Sequence, residues 1–280
     1  MSSQNPILVI GSTGKTGRRI VRRLTDLGLP IREGSRRSDP PFDWDRPETW
    51  APALDGVDTA FVSFFPDLAV PGAPAAIERL TELAKAASVR RLVLLSGRGE
   101  RNAERCEEIV RQSGLGFTLI RASWFAQNFD EGVLRDAVLA GTIAMPAGDV
   151  REPFVDVEDI ADVAVAALTD PTHDGRLYEL TGPRLMSFTE VAAELSKATG
   201  RPVRYAPISS EEFRAALTAD AGPEFANMLT ELCAEVLDGR NERLDHGVRE
   251  ALGREPRDFA DYAEAAAAAG AWSTATREVG

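Results

Sequence analysis

The stretch Pro6-Ile-Leu-Val-Ile-Gly-Ser-Thr-Gly-Lys-Thr-Gly17 decides the fold of this chain. It begins with a short, unbroken apolar run ending at Gly11, which is typical of a parallel strand buried on both faces. The next segment, Arg18–Leu27, carries aliphatic residues at the spacing of one helical face. A strand, a glycine-rich turn and a helix in this order direct backbone N–H groups and the positive helix end toward a phosphate.

The three glycines of the turn have separate roles in this interpretation. Gly11 permits the tight turn, Gly14 the approach of a pyrophosphate, and Gly17 close packing of helix on strand. Their spacing differs from the common G-x-G-x-x-G pattern, so the position between strand and helix carries the argument. A P-loop is excluded because it needs a glycine where Val9 stands, and a turn that binds nothing is the remaining alternative. We predict that the whole turn contacts a dinucleotide: Gly11, Ser12, Thr13, Gly14, Lys15, Thr16 and Gly17.

The second predicted strand, Leu29–Gly34, leads into Ser35-Arg36-Arg37. NAD sites usually carry an acid here for the ribose hydroxyls, whereas an arginine pair suits a 2′-phosphate. Glu33 is an alternative acid two residues earlier, and a solvated basic turn is another alternative. The sequence favours NADP(H) over NAD(H), with Arg36 and Arg37 as ligands.

Bulk composition excludes several classes of protein. The chain has 280 residues, of which 44% are hydrophobic and 27% charged, and a net charge of −12. That charge argues against a nucleic-acid partner, and no apolar run approaches the roughly 20 residues that span a bilayer. The N-terminus lacks signal-peptide features. Cys106 and Cys233 have no metal-type spacing, so we predict a cytoplasmic protein without a metal site, with His173 and His246 at the surface.

Strands alternate with helices along the first two thirds of the chain, which predicts an α/β fold with a Rossmann-type doubly wound parallel sheet. Ligands bind at the carboxyl ends of such strands. We predict an NADP-binding domain over 1–150, with 151–182 contributing strands and a helix back to it. A smaller, mostly helical substrate-binding lobe follows over 183–272, then a tail over 273–280.

Details of the second lobe are also predicted. Pro153–Asp156 is expected to be a strand, and Ser187 and Ser209 each open a helix through a capping box. Four apolar residues with helical spacing are expected in the core or, alternatively, along a substrate cleft: Phe213, Phe225, Met228 and Leu232.

With these segments in place, the chain resembles the NmrA-like branch of the atypical short-chain dehydrogenase/reductases over nearly its whole length. One departure is Ala122, where such proteins often have proline. The motifs that carry the resemblance are Gly11–Gly17, Phe42–Trp44, Leu94–Ser96, Phe117–Arg121, Trp124–Phe129 and Val155–Ala161.

This resemblance implies positions for further cofactor contacts. Asp43 and Trp44 are expected near the adenine. The middle of the cofactor is expected to be flanked by Phe64, Phe65 and Pro66. The nicotinamide is expected near Ser96, Gly97, Ser123, Trp124 and Phe125. Ordinary core packing is the alternative for Phe64 and Trp124.

The wider family reduces carbonyls with a Tyr-x-x-x-Lys pair, in which the tyrosine is the acid. This chain has Tyr178, Tyr205 and Tyr262, and none is followed by lysine four positions later. Two hypotheses follow. The protein is an NADPH-dependent reductase of a ketone or quinone on a bulky aromatic molecule, with Ser96 as the catalytic hydrogen-bond donor to the oxyanion. Alternatively, it is a non-catalytic NADP(H)-binding redox sensor that regulates another protein.

Overall fold

A computed structural model describes residues 5–273 and divides into two compact units. The first unit comprises 5–122, 157–181 and 245–255, and the second comprises 123–156, 182–244 and 256–273. Residues 123–150, which the sequence predicts in the first domain, therefore group with the second unit. Most of the predicted tail lies outside the described residues.

Ten strands and eleven α-helices lie within residues 5–273, and they alternate through most of the first unit. The strands are β1 (Ile7–Ile10), β2 (Ile31–Gly34), β3 (Thr59–Val62), β4 (Arg91–Gly97), β5 (Gly116–Ala122), β6 (Thr142–Met145), β7 (Arg151–Glu152), β8 (Arg176–Leu180), β9 (Met186–Ser187) and β10 (Arg204–Pro207). The helices are α1 (Lys15–Asp26), α2 (Trp50–Leu54), α3 (Ala73–Ala86), α4 (Arg101–Gln112), α5 (Arg135–Ala140), α6 (Val157–Thr169), α7 (Phe188–Thr199), α8 (Ser210–Ala221), α9 (Pro223–Val236), α10 (Gly247–Leu252) and α11 (Phe259–Ala268).

The first unit contains a six-stranded parallel sheet in the order β2-β1-β3-β4-β5-β8. Every residue of β1 and β3 is buried, as the apolar run after Pro6 predicts. From β1 the chain moves outward to β2 and then returns to pair β3 on the other side. The point of reversal lies at the carboxyl ends of β1 and β3, which is where ligands bind in such sheets. The predicted Rossmann-type fold class is confirmed.

Two groups of helices cover this sheet. Helix α1 packs on α6, and the two are joined by ion pairs from Arg19 to Glu158 and from Arg23 to Asp162. Helix α3 packs on both α2 and α4, around Trp50, Ile77 and other buried apolar side chains. This grouping is the one expected when helices cover both faces of a parallel sheet.

The second unit pairs β6 with β10 in parallel and β7 with β9 antiparallel. Its core is rich in aromatic rings, with Phe129, Phe154 and Phe188 in mutual contact. Both predicted capping boxes are present, at Ser187 before α7 and at Ser209 before α8. Within residues 5–273, no helix has the length and apolar character needed to cross a membrane.

Two predictions about local structure are wrong. Pro153–Asp156 is not a strand: Pro153 has no N–H, and the segment forms only an isolated bridge between Val155 and Phe125 before α6 begins. His173 is buried rather than at the surface, and its Nδ1 lies 2.8 Å from the hydroxyl of Tyr178. Tyr178, five residues further along the chain, is the hydrogen-bond partner of the buried imidazole.

The four apolar residues predicted as core or cleft divide between two environments. Phe213 is buried in the core of the second unit, and Leu232 packs against that core. Phe225 and Met228, both on α9, are only partly buried. Core packing therefore accounts for the first two.

Candidate functional site

The glycine turn after β1 has the crowding that its three glycines predict. Gly11 has a φ of +79°, in the left-handed region that favours glycine. A Cβ on Gly17 would lie 2.0 Å from the carbonyl oxygen of Gly11, whereas one on Gly14 would lie 3.2 Å from it. The backbone of the turn therefore packs directly on the first turn of α1, and no side chain fits between them at Gly17.

The N-terminus of α1 is open. Gly14 is the N-cap residue, no side chain caps the helix, and its first turn contains no acidic residue. Ser12 is only 2% exposed, and its Oγ has no hydrogen-bond partner among the described residues. Leaving a buried hydroxyl without a partner costs about 1–3 kcal/mol. The unfilled amide groups and this hydroxyl fit a bound phosphate, which would supply the missing acceptor.

The end of β2 lies directly beside this turn. The carbonyl oxygen of Gly34 accepts hydrogen bonds from the N–H groups of Gly11 at 2.9 Å and Ser12 at 3.4 Å. A Cβ on Gly34 would lie 2.9 Å from the Cα of Ile10. This close approach brings the start of the basic segment next to the glycine turn.

The basic segment is folded by its own serines. The Ser38 hydroxyl accepts from the N–H of Ser35 at 2.9 Å and lies 2.7 Å from the Ser35 carbonyl oxygen. Arg36 and Arg37 are exposed. Over residues 5–273, neither guanidinium has an ion pair or a hydrogen bond, so both remain available to an anion. Glu33, the alternative acid, is exposed within β2.

An aromatic pair lies near the carboxyl end of β3. The indole N–H of Trp44 donates to the carbonyl oxygen of Ser63 at 3.1 Å, and the Trp44 and Phe64 rings are 4.6 Å apart. A Cβ on Gly11 would lie 3.1 Å from the Cβ of Ser63, so this pair neighbours the glycine turn. Both rings are half-buried. They pack against the first unit's core and keep part of their surface available, which combines the two predicted alternatives for Phe64.

Asp43 has a local structural role. Its carboxylate accepts the N–H of Asp45 at 3.2 Å, and its carbonyl oxygen accepts the indole N–H of Trp50 at 2.7 Å. These bonds form the turn that carries Trp44. A contact of Asp43 with adenine stays a prediction.

The loop after Phe64 is exposed at its start and anchored further on. Phe65 is 69% exposed and Pro66 is also exposed. Asn102 of α4 donates to the carbonyl oxygen of Ala69 at 2.7 Å. Burial raises the pKa of Asp67, while hydrogen bonds from Ala69 and with the Glu100 side chain act in the opposite direction.

Ser96, at the end of β4, belongs to a buried polar network. Its hydroxyl donates to Oε1 of Glu107 in α4 at 2.6 Å. Arg121 binds both carboxylate oxygens of Glu107, and its Nη1 lies 3.5 Å from Glu179 of β8. Arg98 pairs with Glu179 at 2.5 Å. Four charged side chains thus join the ends of β4, β5 and β8 to α4, and Ser96 is attached to one end of the network.

Gly97 is also closely packed. A Cβ at that position would lie 1.8 Å from Oε1 of Glu100, so the backbone after Ser96 lies directly under a carboxylate. Only glycine fits there while Glu100 keeps its position.

Three of the residues predicted near the nicotinamide, Ser123, Trp124 and Phe125, belong to the second unit. Ser123 is 3% exposed, and its Oγ has no hydrogen-bond partner among the described residues. Trp124 packs edge-on against Phe188 with ring centroids 6.3 Å apart, and Phe125 is partly buried. The structure therefore brings together Gly11–Gly17, the basic segment and the Trp44–Phe64 pair, while these three residues belong to the other unit.

None of the three tyrosines offers an unengaged hydroxyl. Tyr178 bonds His173, Tyr205 donates to the Met145 carbonyl oxygen at 3.1 Å, and Tyr262 donates to Asp130 at 2.8 Å. Burial raises the pKa of Tyr205. It also raises the pKa of Tyr262, together with the neighbouring Asp130 carboxylate. Each of the three tyrosine hydroxyls is therefore bonded to another residue of the chain.

The sequence reasoning missed Glu107, Arg121 and Glu179 as partners of Ser96. For Arg121 and Glu179 the local signal is a charged residue in a mostly apolar strand, since Arg121 is the penultimate residue of β5 and Glu179 lies inside β8. Such residues are seldom buried unless they are paired. That pattern predicts some pairing but does not identify the partner. Glu107 lies in α4 among other charged residues and has no such signal.

Two family models match the chain. The model of the NmrA-like family matches residues 103–263, and a model described as NAD(P)H-binding matches residues 11–171. The NAD(P)H-binding match begins at the glycine turn, and the NmrA-like match covers Glu107, Arg121 and Glu179 of the Ser96 network but begins after Ser96 and Arg98.

Similar proteins extend along nearly the whole chain. The NAD(P)H azoreductase of Xenophilus azovorans is 33% identical, covering 94% of this chain and 98% of its own. Prestalk A differentiation protein A of Dictyostelium discoideum is 31% identical, covering 94% and 93%. An NADPH-dependent quinone oxidoreductase of Escherichia coli, solved with NADPH, is 23% identical with a TM-score of 0.77, covering 92% and 99%; this likeness shows the fold. The protein belongs to the NmrA-like family and carries its NAD(P)H-binding domain.

Proposed function

We propose that this protein is an NADPH-dependent reductase that transfers hydride to a ketone or quinone of a bulky aromatic molecule. The observation that carries the proposal is the polar cluster at the β1–β3 switch point. There, α1 has an uncapped N-terminus, and within residues 5–273 the buried Ser12 hydroxyl has no hydrogen-bond partner and the exposed Arg36 and Arg37 have no ion pair. These groups fit a pyrophosphate with a further phosphate beside it.

The chain's own residues would bind and orient the cofactor. The N–H groups of Thr16 and Gly17 and the Ser12 hydroxyl would hold the pyrophosphate, with Gly17 allowing α1 to approach, while the Gly14 N–H closes the turn on the Gly11 carbonyl oxygen at 2.9 Å. Arg36 and Arg37 would hold the 2′-phosphate, because a guanidinium forms charge-assisted, bidentate bonds to phosphate. Trp44 would lie near the adenine, and Phe64 would flank the middle of the cofactor.

The acceptor class follows from the missing acid. When bound, NADPH supplies the hydride, and orientation of donor and acceptor supplies much of the rate enhancement. With all three tyrosine hydroxyls engaged within the chain, an acceptor that spreads or internally protonates its new negative charge is favoured. Quinones and ketones beside a phenol have this property. The names of the azoreductase and quinone oxidoreductase relatives denote reductases of conjugated molecules, which supports this class.

A substrate screen tests the proposal. Oxidation of NADPH is followed by absorbance with a panel of quinones, phenolic aromatic ketones and simple aliphatic ketones, with NADH in parallel. We expect turnover of the conjugated acceptors and little of the aliphatic ketones. Tight NADPH binding without oxidation by any acceptor would contradict the reductase assignment.

The second candidate function is a non-catalytic NADP(H) sensor that regulates a partner protein. The observation that favours it is the absence of any Tyr-x-x-x-Lys pair. The Dictyostelium relative, which is named for differentiation rather than for a reaction, is consistent with it. A sensor should bind NADPH and NADP⁺ with clearly different affinities and oxidise neither quinones nor ketones. Equal affinities together with quinone turnover would remove this candidate.

A further inference from the structure

The direction of the Ser96 hydrogen bond limits what this serine can do. A hydroxyl has one hydrogen to donate and two lone pairs that accept. In Ser96 the hydrogen is directed at Glu107 over 2.6 Å, the length expected for a bond to a charged carboxylate. Among residues 5–273, no group donates to the Ser96 oxygen. The side chain therefore has an acceptor available and no free donor.

The contacts of Glu107 explain why the Ser96 hydroxyl donates to it. It is 2% exposed, and the Arg121 guanidinium binds both of its carboxylate oxygens. An ionised carboxylate only accepts, so the serine between them must donate. Glu179 and Arg98 extend the network and balance its charge, with two arginines and two glutamates. The ion pair thus fixes which way the Ser96 hydroxyl points.

Ser96 occupies the edge of the sheet at which ligands bind. It lies near the carboxyl end of β4, on the same edge as the glycine turn after β1, because all six strands are parallel. It is 4% exposed, so any group that bonds to its oxygen does so out of contact with bulk water. A buried acceptor at this edge is suited to a donor on the bound ligand.

We propose that Glu107, held by Arg121, makes Ser96 a hydrogen-bond acceptor for the nicotinamide half of NADPH. The donor would be the carboxamide N–H or a hydroxyl of the adjoining ribose. Ser96 is then not the donor to a substrate oxyanion, since that role would require it to give up its charge-assisted bond. Glu107 and Arg121 are positioning residues. This inference rests on the proposed function, because it assigns part of the same cofactor site.

The test measures binding alone and compares two cofactors. Dissociation constants of NADPH and its reduced 3-acetylpyridine analogue, which lacks the carboxamide N–H, are measured by titration for the wild type and for Ser96→Ala. A single hydrogen bond corresponds to a preference for NADPH of about fivefold to tenfold. We expect the wild type to show this preference and Ser96→Ala to lose it. Ser113→Ala removes a serine immediately after α4, whose hydroxyl donates to the Val110 carbonyl oxygen, and should keep the preference.

The remaining outcomes also decide the question. Equal weakening of both cofactors by Ser96→Ala assigns the donor to the ribose hydroxyl and supports the acceptor role. Unchanged affinity for both, with only turnover reduced, makes Ser96 an oxyanion donor and overturns the proposal. Absence of NADPH binding to the wild type would overturn both this inference and the proposed function. Tight binding of NADPH, with no preference over the 3-acetylpyridine analogue and no effect of Ser96→Ala, would overturn this inference alone.

A second variant tests the positioning role. In Glu107→Gln the side-chain amide can donate to the Ser96 oxygen, which takes one of its two lone pairs and no longer fixes the direction of the hydroxyl hydrogen. We expect the preference for NADPH to fall as in Ser96→Ala, although Ser96 itself is intact. Retention of the full preference in folded Glu107→Gln would contradict the role of Glu107. If that variant does not fold, the Ser96→Ala comparison decides.

Discussion

Around Gly11, several polar groups have no partner among residues 5–273, whereas Ser96 is bonded into a network of charged side chains. The glycine turn combines an uncapped helix with a buried Ser12 hydroxyl, and neither this hydroxyl nor the neighbouring Arg36 and Arg37 side chains have a partner in that part of the chain. At the ends of β4, β5 and β8, two arginines and two glutamates form a network with Ser96. Both clusters lie at the same edge of one parallel sheet.

The contrast separates groups that await a ligand from groups that hold a side chain in place. Unsatisfied buried polar groups cost free energy, which a bound ligand recovers. A buried ion-pair network depends on each member being present, because removing one partner leaves an uncompensated buried charge. We therefore expect substitutions in the network to act mainly on folding and substitutions in the turn to act on cofactor binding.

Arg121→Ala should give the largest effect. It leaves the Glu107 carboxylate buried without its cation, and breaking a buried pair in this way costs about 3–5 kcal/mol. Denaturant unfolding measures the loss. Arg90→Ala is the control, because Arg90 pairs with Asp58 at the surface, where an ion pair contributes about 0–1 kcal/mol. Similar losses for both variants would mean that the network is not the stabilising element described here.

Gly17→Ala should follow, with its effect divided between stability and binding. The added Cβ meets the Gly11 carbonyl oxygen at 2.0 Å, so the turn must move, and overpacking of this kind costs about 1–3 kcal/mol. Because the same movement displaces the amide groups of the turn, NADPH binding should be lost. Gly72→Ala, which meets nothing within 4 Å, is the control. Normal NADPH affinity in Gly17→Ala would contradict the proposal that the N–H groups of the glycine turn bind the pyrophosphate.

Arg36→Ala should weaken NADPH roughly 10-fold to 100-fold, the value of one or two hydrogen bonds to a charged group, and leave NADH nearly unchanged. Titration with NADPH and with NADH measures the dissociation constant of each cofactor for the wild type and the variant. Arg214→Ala removes the same charge from an exposed position of α8 and should change neither affinity. Equal losses for NADPH and NADH would assign the 2′-phosphate to other residues.

Asp67→Asn should give the smallest effect, and one that depends on pH. Burial raises the pKa of Asp67 above its ordinary 3.8, so the folded state binds a proton that the unfolded state releases, and stability falls as the pH rises from 3.8 through the folded-state pKa. Asparagine has no proton to lose. The free energy of unfolding of Asp67→Asn should match that of the wild type near pH 3.5 and exceed it at pH 7, by about 1.4 kcal/mol per unit of pKa shift, with a higher melting temperature at pH 7 as the readout.

The exposed Asp26→Asn is the control for that series and should follow the wild type at each pH. A melting-temperature difference between Asp67→Asn and the wild type that stays constant with pH would show that Asp67 does not gain a proton on folding.

The glycine turn could be predicted from sequence because its parts are local. Gly11, Gly14 and Gly17 lie within seven residues, and their crowding involves only the backbone of that segment. The Ser96 network could not be predicted, because Glu179 lies 58 positions from Arg121, and nothing in the sequence specifies that pairing. The buried His173 was missed for a related reason, since its partner Tyr178 is identified only when β8 is in place.

Boundaries between units were also beyond the sequence pattern. The helix Arg135–Ala140 and the strand Thr142–Met145 are both short. The partner of this strand, Arg204–Pro207, lies about sixty residues further along the chain. The capped helices after Ser187 and Ser209 were predictable because a capping box is complete within four residues.

Isothermal titration of the wild-type protein with NADPH and with NADH tests the central claim most directly. The account predicts saturable heat with NADPH at one site per chain, and at least tenfold weaker binding of NADH. No heat with either nucleotide at high protein concentration would contradict it.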